Sequence, residues 1–378
     1  MGKKALFLGP GGPFGAVEIG ALRAFHENGK QFDIIAGNSI GSAIALTYAS
    51  PSKRYAGDRI KALAALRTYT SLELPMVRLT KRNMPFNYRI WHKTWGELND
   101  LYEGIMEHWL ADSVLDGFDQ LPKLWQDFYG FLAAFSTPLN LRWGYTRSFW
   151  EIYNDLPAED QNPIGAWISM VTACIPKAQN TGFVVPLHGG MRTLIDFDNL
   201  KSVPQEIYIG ALNLRDRHPE LFSKDVITPA HLQASTTVIF MNEICRIGDL
   251  PYAESTYVDA YNFKEVLGKH PDIDTIVLID ILGMKSWVYE PQDLVDAFNV
   301  SITGGFANSA RDDLAIFEER YLNKRDETGR YRYHDGEINY VKVQYEIPPD
   351  IRPTWTEDVM NRLEAIGYEA ATDCLNRI

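Results

Sequence analysis

Cysteine is scarce in this chain. The three present among 378 residues, Cys174, Cys245 and Cys374, are odd in number and far apart. They offer neither a disulfide framework nor metal-ligand spacing, which fits a reducing compartment. Long apolar runs are missing too, and none approaches the roughly 20 residues of a membrane span. Basic charge is in deficit, with 37 Lys and Arg against 49 Asp and Glu for a net charge of −12. That balance argues against nucleic acid as a partner and gives no general attraction to anionic membranes. There is no internal repeat, low-complexity tract or long linker, and no acidic cluster of the calcium-binding kind. Neither a metal nor a cofactor is expected.

Targeting signals are also lacking. Lys3-Lys4 followed by apolar residues faintly resembles a secretory leader, but Gly9 to Gly12 interrupt the run. Met1-Gly2 is not followed by Ser or Thr at position 6, where Leu6 stands, so myristoylation is not indicated. The expected location is cytoplasmic.

What is present is concentrated near the start. Ala5 to Leu8 read as a buried strand, and Gly9-Pro10-Gly11-Gly12-Pro13-Phe14-Gly15 as a turn. Val17, Ala21, Ala24 and Phe25 then recur at helical spacing until Asn28-Gly29. Phe32 to Ala36 form a second strand, Gly37-Asn38-Ser39-Ile40-Gly41 a sharp turn, and Ile40 to Ala49 a helix of small residues. A right-handed crossover makes the two strands parallel neighbours, so both turns open at the same carboxyl edge. A G-x-S-x-G turn between strand and helix presents a serine for acyl transfer, and a glycine turn beside it supplies N–H groups for the oxyanion.

Other uses of the glycine turn fail on particular residues. A phosphate loop needs Lys-Ser or Lys-Thr after its last glycine, where Ala16-Val17 stand. A dinucleotide fingerprint needs glycine at Phe14 and an acid at the end of the second strand, whereas Asp33 lies at its start.

Farther along, seven of the nine tryptophans fall between Trp91 and Trp167. This aromatic stretch reads as a helical insertion over about residues 55–190, either a packing layer or the wall of an acyl groove. Strands return at Ile207 to Leu212, Thr275 to Leu282 and Tyr340 to Ile347. A helix capped by Thr356 then buries Val359, Leu363, Ile366 and Ala370. The pattern predicts one α/β domain over 1–345 carrying the insertion, and a helical extension over 346–378 packed on it.

A serine hydroxyl needs a base. Five of the eight histidines, His26, His92, His108, His270 and His334, sit in helical or charged surface-like contexts. His188 and His231 are the loop-placed candidates. Asp259 is the alternative, delivered into a turn by a short strand over Thr256 to Val258.

Together the early glycine turn, Gly37-x-Ser39-x-Gly41 and Asp259-Ala260 resemble the patatin-like phospholipases. Leu194 to Asp198, Ile207 to Leu214 and Ala234-Ser235 add to the likeness. The segment from Trp355 to Ala371, with Gly367-Tyr368, is similar to the carboxyl-terminal extension of a bacterial subgroup. The likeness is good over residues 4–50 and 193–265. It implies a three-layer fold, a mostly parallel central sheet flanked by helices, and a Ser–Asp dyad with no catalytic histidine. On that likeness Ser39 matches the nucleophile and Asp259 its base. Gly11 and Gly12 match the oxyanion loop, with Phe14 and the Ile40 amide as further donors, and Gly15, Gly37 and Gly41 are the motif glycines.

The implied activity is hydrolysis of lipid acyl esters through an acyl-serine, with transient contact at a membrane surface. Three residues depart from the pattern: Pro10 for the first loop glycine, Phe14 for the usual arginine, and Ala260 for the glycine after the aspartate. Pro10 and Pro13 have no N–H to donate. They keep open a second reading, a lipid-binding or regulatory module with weak or lost catalysis.

Overall fold

The computed structural model describes residues 2–70, 180–183, 191, 193–242, 244–282, 290, 294–331, 334, 336–348, 350–351 and 356–378. Chain contacts divide it into two compact units, one of residues 1–86, 185–239 and 244–378, the other of 87–184 and 240–243. In the second unit the described strands are β3 (Asn180–Phe183) and β6 (Phe240–Asn242), which pair in parallel. The tryptophan-rich stretch lies outside the described residues, as do His92, His108, His188 and Cys174.

The first unit is built on one sheet. Its parallel centre begins with β1 (Lys3–Leu8) and β2 (Ile34–Gly37), joined by α1 (Gly15–Glu27). β4 (Glu206–Asn213) lies beside β2. On the far side of β1 come β9 (Ile273–Ile279) and then β10 (Asn339–Lys342), all parallel. Antiparallel strands finish the other edge: β5 (His218–Ser223) and β8 (Leu250–Ala253) both pair with β4, and β7 (Cys245–Ile247) pairs with β8. β1 and β9 are buried along most of their length, as strands covered on both faces must be. The expected fold class, an α/β protein with a mostly parallel sheet flanked by helices, is what the chain adopts.

The strands and helices expected near the start lie within a residue or two of their observed bounds. α2 (Ile40–Ala49) has the limits read from the sequence, and α3 (Arg59–Thr70) follows it. One local expectation is corrected. Thr256 to Val258 form no strand: Ser255–Tyr257 are a 3-10 turn, and the Ser255 carbonyl accepts the Val258 and Asp259 N–H groups, each at 2.8 Å. The β-branched residues pointed to a strand, but this local bonding overrides their weak preference.

The last helix, α7 (Glu357–Cys374), is numbered after α4 (Pro229–Ser235), α5 (Phe263–Lys269) and α6 (Leu294–Phe317). Thr356 caps it, accepting the Val359 N–H at 3.4 Å. α7 packs on α1 so closely that a Cβ on Gly20 would stand 1.9 Å from the Glu364 carbonyl, and one on Gly367 1.9 Å from the Val17 carbonyl. Glu364, buried in this joint, is paired with Arg23 of α1 and with Arg67 of α3 at 2.9 Å. Gly367→Ala should therefore push the helices apart. A loss at the upper end of roughly 1–3 kcal/mol is expected, read as a lowered Tm, whereas an unchanged Tm would mean the helices do not meet there. No helix among the described residues is long and apolar enough to cross a membrane.

Candidate active site

Ser39 stands between the end of β2 and the start of α2 with φ 53 and ψ −124. A non-glycine residue seldom adopts this conformation, and holding it costs about 1–3 kcal/mol. Packing enforces it. A Cβ on Gly37 would meet the Gly41 carbonyl at 2.5 Å, and one on Gly41 the Leu8 carbonyl at 2.6 Å, so only glycines let the turn close against β1. Ser39 occupies the cap position of α2, but its hydroxyl makes no capping hydrogen bond. The ordinary structural job for a serine there goes unfilled. The Ser39 N–H instead donates to Ser235 Oγ at 3.3 Å, and Ser235 Oγ is 2.7 Å from Ser42 Oγ.

The residue between the glycine and the serine does what the sequence did not reveal. Asn38 is fully buried. Its Nδ2 donates to the carbonyls of Asp259 at 3.1 Å and Ala260 at 2.7 Å. Its Oδ1 accepts from the Gly210 N–H at 3.1 Å and from Asn262 Nδ2 at 2.7 Å. One amide thus ties the serine turn, the aspartate turn and β4 together. A pattern that writes this position as any residue hides it.

Asp259 is half-buried, and its Oδ1 accepts the N–H groups of Tyr261 at 3.1 Å and Asn262 at 2.6 Å. Among the described residues no hydrogen bond joins the Ser39 and Asp259 side chains; Asn38 links the two turns through backbone. Burial raises the Asp259 carboxyl to about 6, with Glu265 adding to the rise against the pull of the two N–H groups. Asp313 of α6 accepts the Ala260 N–H, and burial with the nearby Asp259 charge raises it to about 7. Ala260 is not among the residues with positive φ, so alanine in place of the family's glycine brings no backbone strain.

The glycine turn is less uniform. Gly12 has φ 54, which suits glycine. The N–H groups of Gly11, Gly12 and Ile40 have no hydrogen-bond partner among the described residues, whereas that of Phe14 donates to the Gly11 carbonyl at 3.2 Å. Phe14 is also fully buried. The expectation of Phe14 as an oxyanion donor is corrected accordingly: its N–H closes the 3-10 turn over Gly12–Phe14. His231 is corrected as well, since it lies inside α4 and not on a loop. Its Nδ1 accepts the Thr228 N–H at 3.2 Å and meets Thr228 Oγ1 at 2.9 Å, closing a capping box, and its ring packs 4.5 Å from Phe222. A cleft of ≈ 590 Å³ lined by Ser52, Arg54, Ile195 and Phe197 includes neither Ser39 nor Asp259.

Buried carboxyls make stability depend on pH. Glu254, just after β8, is raised to about 7, first by burial and against hydrogen bonding from Thr256 and Ser39. Its folded value lies above its unfolded one. The favourable contribution is therefore complete below about pH 4.5 and is lost as pH rises through about 7. A shift of this size is worth on the order of 3 kcal/mol. Glu254→Gln should raise Tm at pH 8 while leaving it nearly unchanged at pH 4.5. An equal change at both would mean Glu254 ionises normally.

No curated protein matches the chain. Among solved structures, VipD from Legionella pneumophila is similar over 100% of this chain and 67% of that one, at 13% identity and a TM-score of 0.39. A family model described as patatin-like phospholipase matches residues 6–162, a segment that includes Ser39 but not Asp259. Over that segment, which carries the glycine turn and the strained serine, the chain is similar to the patatin-like phospholipases.

Proposed function

We propose that the protein hydrolyses acyl esters of lipids through an acyl-serine on Ser39, with Asp259 as the base. The observation that carries this reading is the strained backbone of Ser39, φ 53 and ψ −124, around a hydroxyl that no cap employs. The family match over residues 6–162 supports a lipid ester as the substrate class.

In the proposed reaction Asp259 accepts the Ser39 proton as the hydroxyl attacks the ester carbonyl. The hydrogen bond between them closes only as substrate binds, as often happens at such sites. The N–H groups of Gly11, Gly12 and Ile40 receive the oxyanion. The protonated aspartate then gives its proton to the departing alcohol, and water activated by the same carboxylate releases the fatty acid. Residues 1–345 would form the hydrolase domain, carrying the insertion over about 55–190, with 346–378 packed as an extension.

A base must be ionised to act. With Asp259 at about 6, kcat/KM should rise with pH through that region and level off above it, instead of levelling near the ordinary aspartate value of about 4. A rising limb near pH 4 would exclude Asp259 in this environment as the base. The second reading, a lipid-binding module, draws on Pro10 and Pro13, which lack an N–H, and on the engaged Phe14 amide. Fatty-acid release from short- and long-chain esters and phospholipids separates the two. Turnover establishes the hydrolase, and tight lipid binding without turnover by folded protein establishes the module.

A further inference from the structure

Glu254 belongs to no motif, yet it stands at the nucleophile. It is 1% exposed. Its Oε1 accepts from Thr256 Oγ1 at 2.6 Å, while Oε2, equally shielded from solvent, has no hydrogen-bond partner among the described residues. A buried carboxyl oxygen left unpaired is costly, so such an oxygen calls for a ligand or a proton. The backbone places it beside the serine turn. The Glu254 N–H donates to the Thr237 carbonyl at 2.8 Å, and Thr237 lies two residues after Ser235, whose Oγ receives the Ser39 N–H at 3.3 Å. Hydrogen bonding from the Ser39 side chain draws the Glu254 pKa down against the larger effect of burial. Asp259, by contrast, has its Oδ1 held by two backbone N–H groups and shows no bond to Ser39.

We propose that Glu254 is a positioning residue for the nucleophile, accepting the Ser39 hydroxyl before substrate arrives and so fixing the direction in which Oγ points. Asp259 then takes the proton once the ester is bound. This inference rests on Ser39 being the nucleophile of the reaction proposed above. It adds a second carboxyl with a separate task. Among the described residues, the hydroxyls of Ser39 and Thr256 hydrogen-bond Glu254, and its charge helps hold Tyr257 above the usual phenol range, second to burial.

The test reads the Glu254 carboxyl itself. Difference infrared spectroscopy of the full chain across pH 4–9 would follow its protonation in the wild type and in Ser39→Ala. If Ser39 donates to Glu254, removing the hydroxyl moves that titration upward by about half a pH unit or more. In parallel, Glu254→Gln should slow covalent labelling of Ser39 by a fluorophosphonate about tenfold or more, and lower kcat with little change in KM. Identical titrations in the wild type and Ser39→Ala would overturn the proposal, whatever the activity. An upward shift in Ser39→Ala, with a wild type that neither labels nor turns over, would uphold the pairing and sink the hydrolase reading instead. The comparison needs no Glu254 variant, so a Glu254→Gln protein that fails to fold leaves it decisive.

Discussion

Ser39→Ala is expected to remove ester hydrolysis, a fall on the order of 10⁴-fold or more, with Tm nearly unchanged. The size of the effect follows from the hydroxyl forming the covalent intermediate: without it the two-step path does not exist. The small effect on stability follows from the structure. The hydroxyl makes no capping bond, and the Ser39 N–H keeps its bond to Ser235 in the variant. Alanine at φ 53 carries the same backbone strain as serine, and a rise of about half a pH unit at Glu254 is worth under about 1 kcal/mol. Steady-state rates on one soluble ester, together with a melting curve, check both halves. Turnover retained in this variant would put the nucleophile elsewhere.

Asp259→Asn should be nearly as damaging, with a loss on the order of 10³-fold or more. The substitution is conservative for the fold, because the amide oxygen can still accept the Tyr261 and Asn262 N–H groups that the carboxylate accepts. It is not conservative for the chemistry, because an amide cannot take the serine proton. His231→Ala provides the contrast. That ring holds the start of α4 through Thr228, so its loss should lower stability by about 1 kcal/mol and leave kcat intact. In a Ser–His–Asp triad the histidine would be at least as sensitive as the aspartate. If His231→Ala is folded and dead while Asp259→Asn turns over well, the dyad fails.

Much of the fold was legible because its first 50 residues obey local rules. A short apolar run, a glycine turn and a helical period leave few alternatives for β1, α1, β2 and α2. The strand at Thr256 to Val258 was misread because β-branched composition cannot register that the Ser255 carbonyl captures two successive N–H groups. His231 was misplaced for a related reason. Pro229 signalled a loop, but here it opens a helix whose third residue is the histidine. At the site, residues whose type is chemically loud, Ser39, Asp259 and the glycines, could be picked out. Asn38, Ser235, Asp313 and Glu254 could not be given roles. Their parts depend on partners far away in sequence, such as Asn38 and Asp259, which are 221 positions apart. The prolines of the glycine turn were legible as lost donors, but the engagement of the Phe14 amide needed coordinates.

The central claim is that Ser39 is an activated nucleophile, and covalent labelling reads this without presupposing a substrate. The folded chain would be treated with a fluorophosphonate at pH 8, where the Asp259 carboxyl, raised to about 6, is ionised. It would then be digested and the adduct mapped by mass spectrometry. The account predicts a single stoichiometric adduct on Ser39 that is absent from Ser39→Ala. Folded protein that stays unlabelled, or an adduct on any other residue, would contradict it.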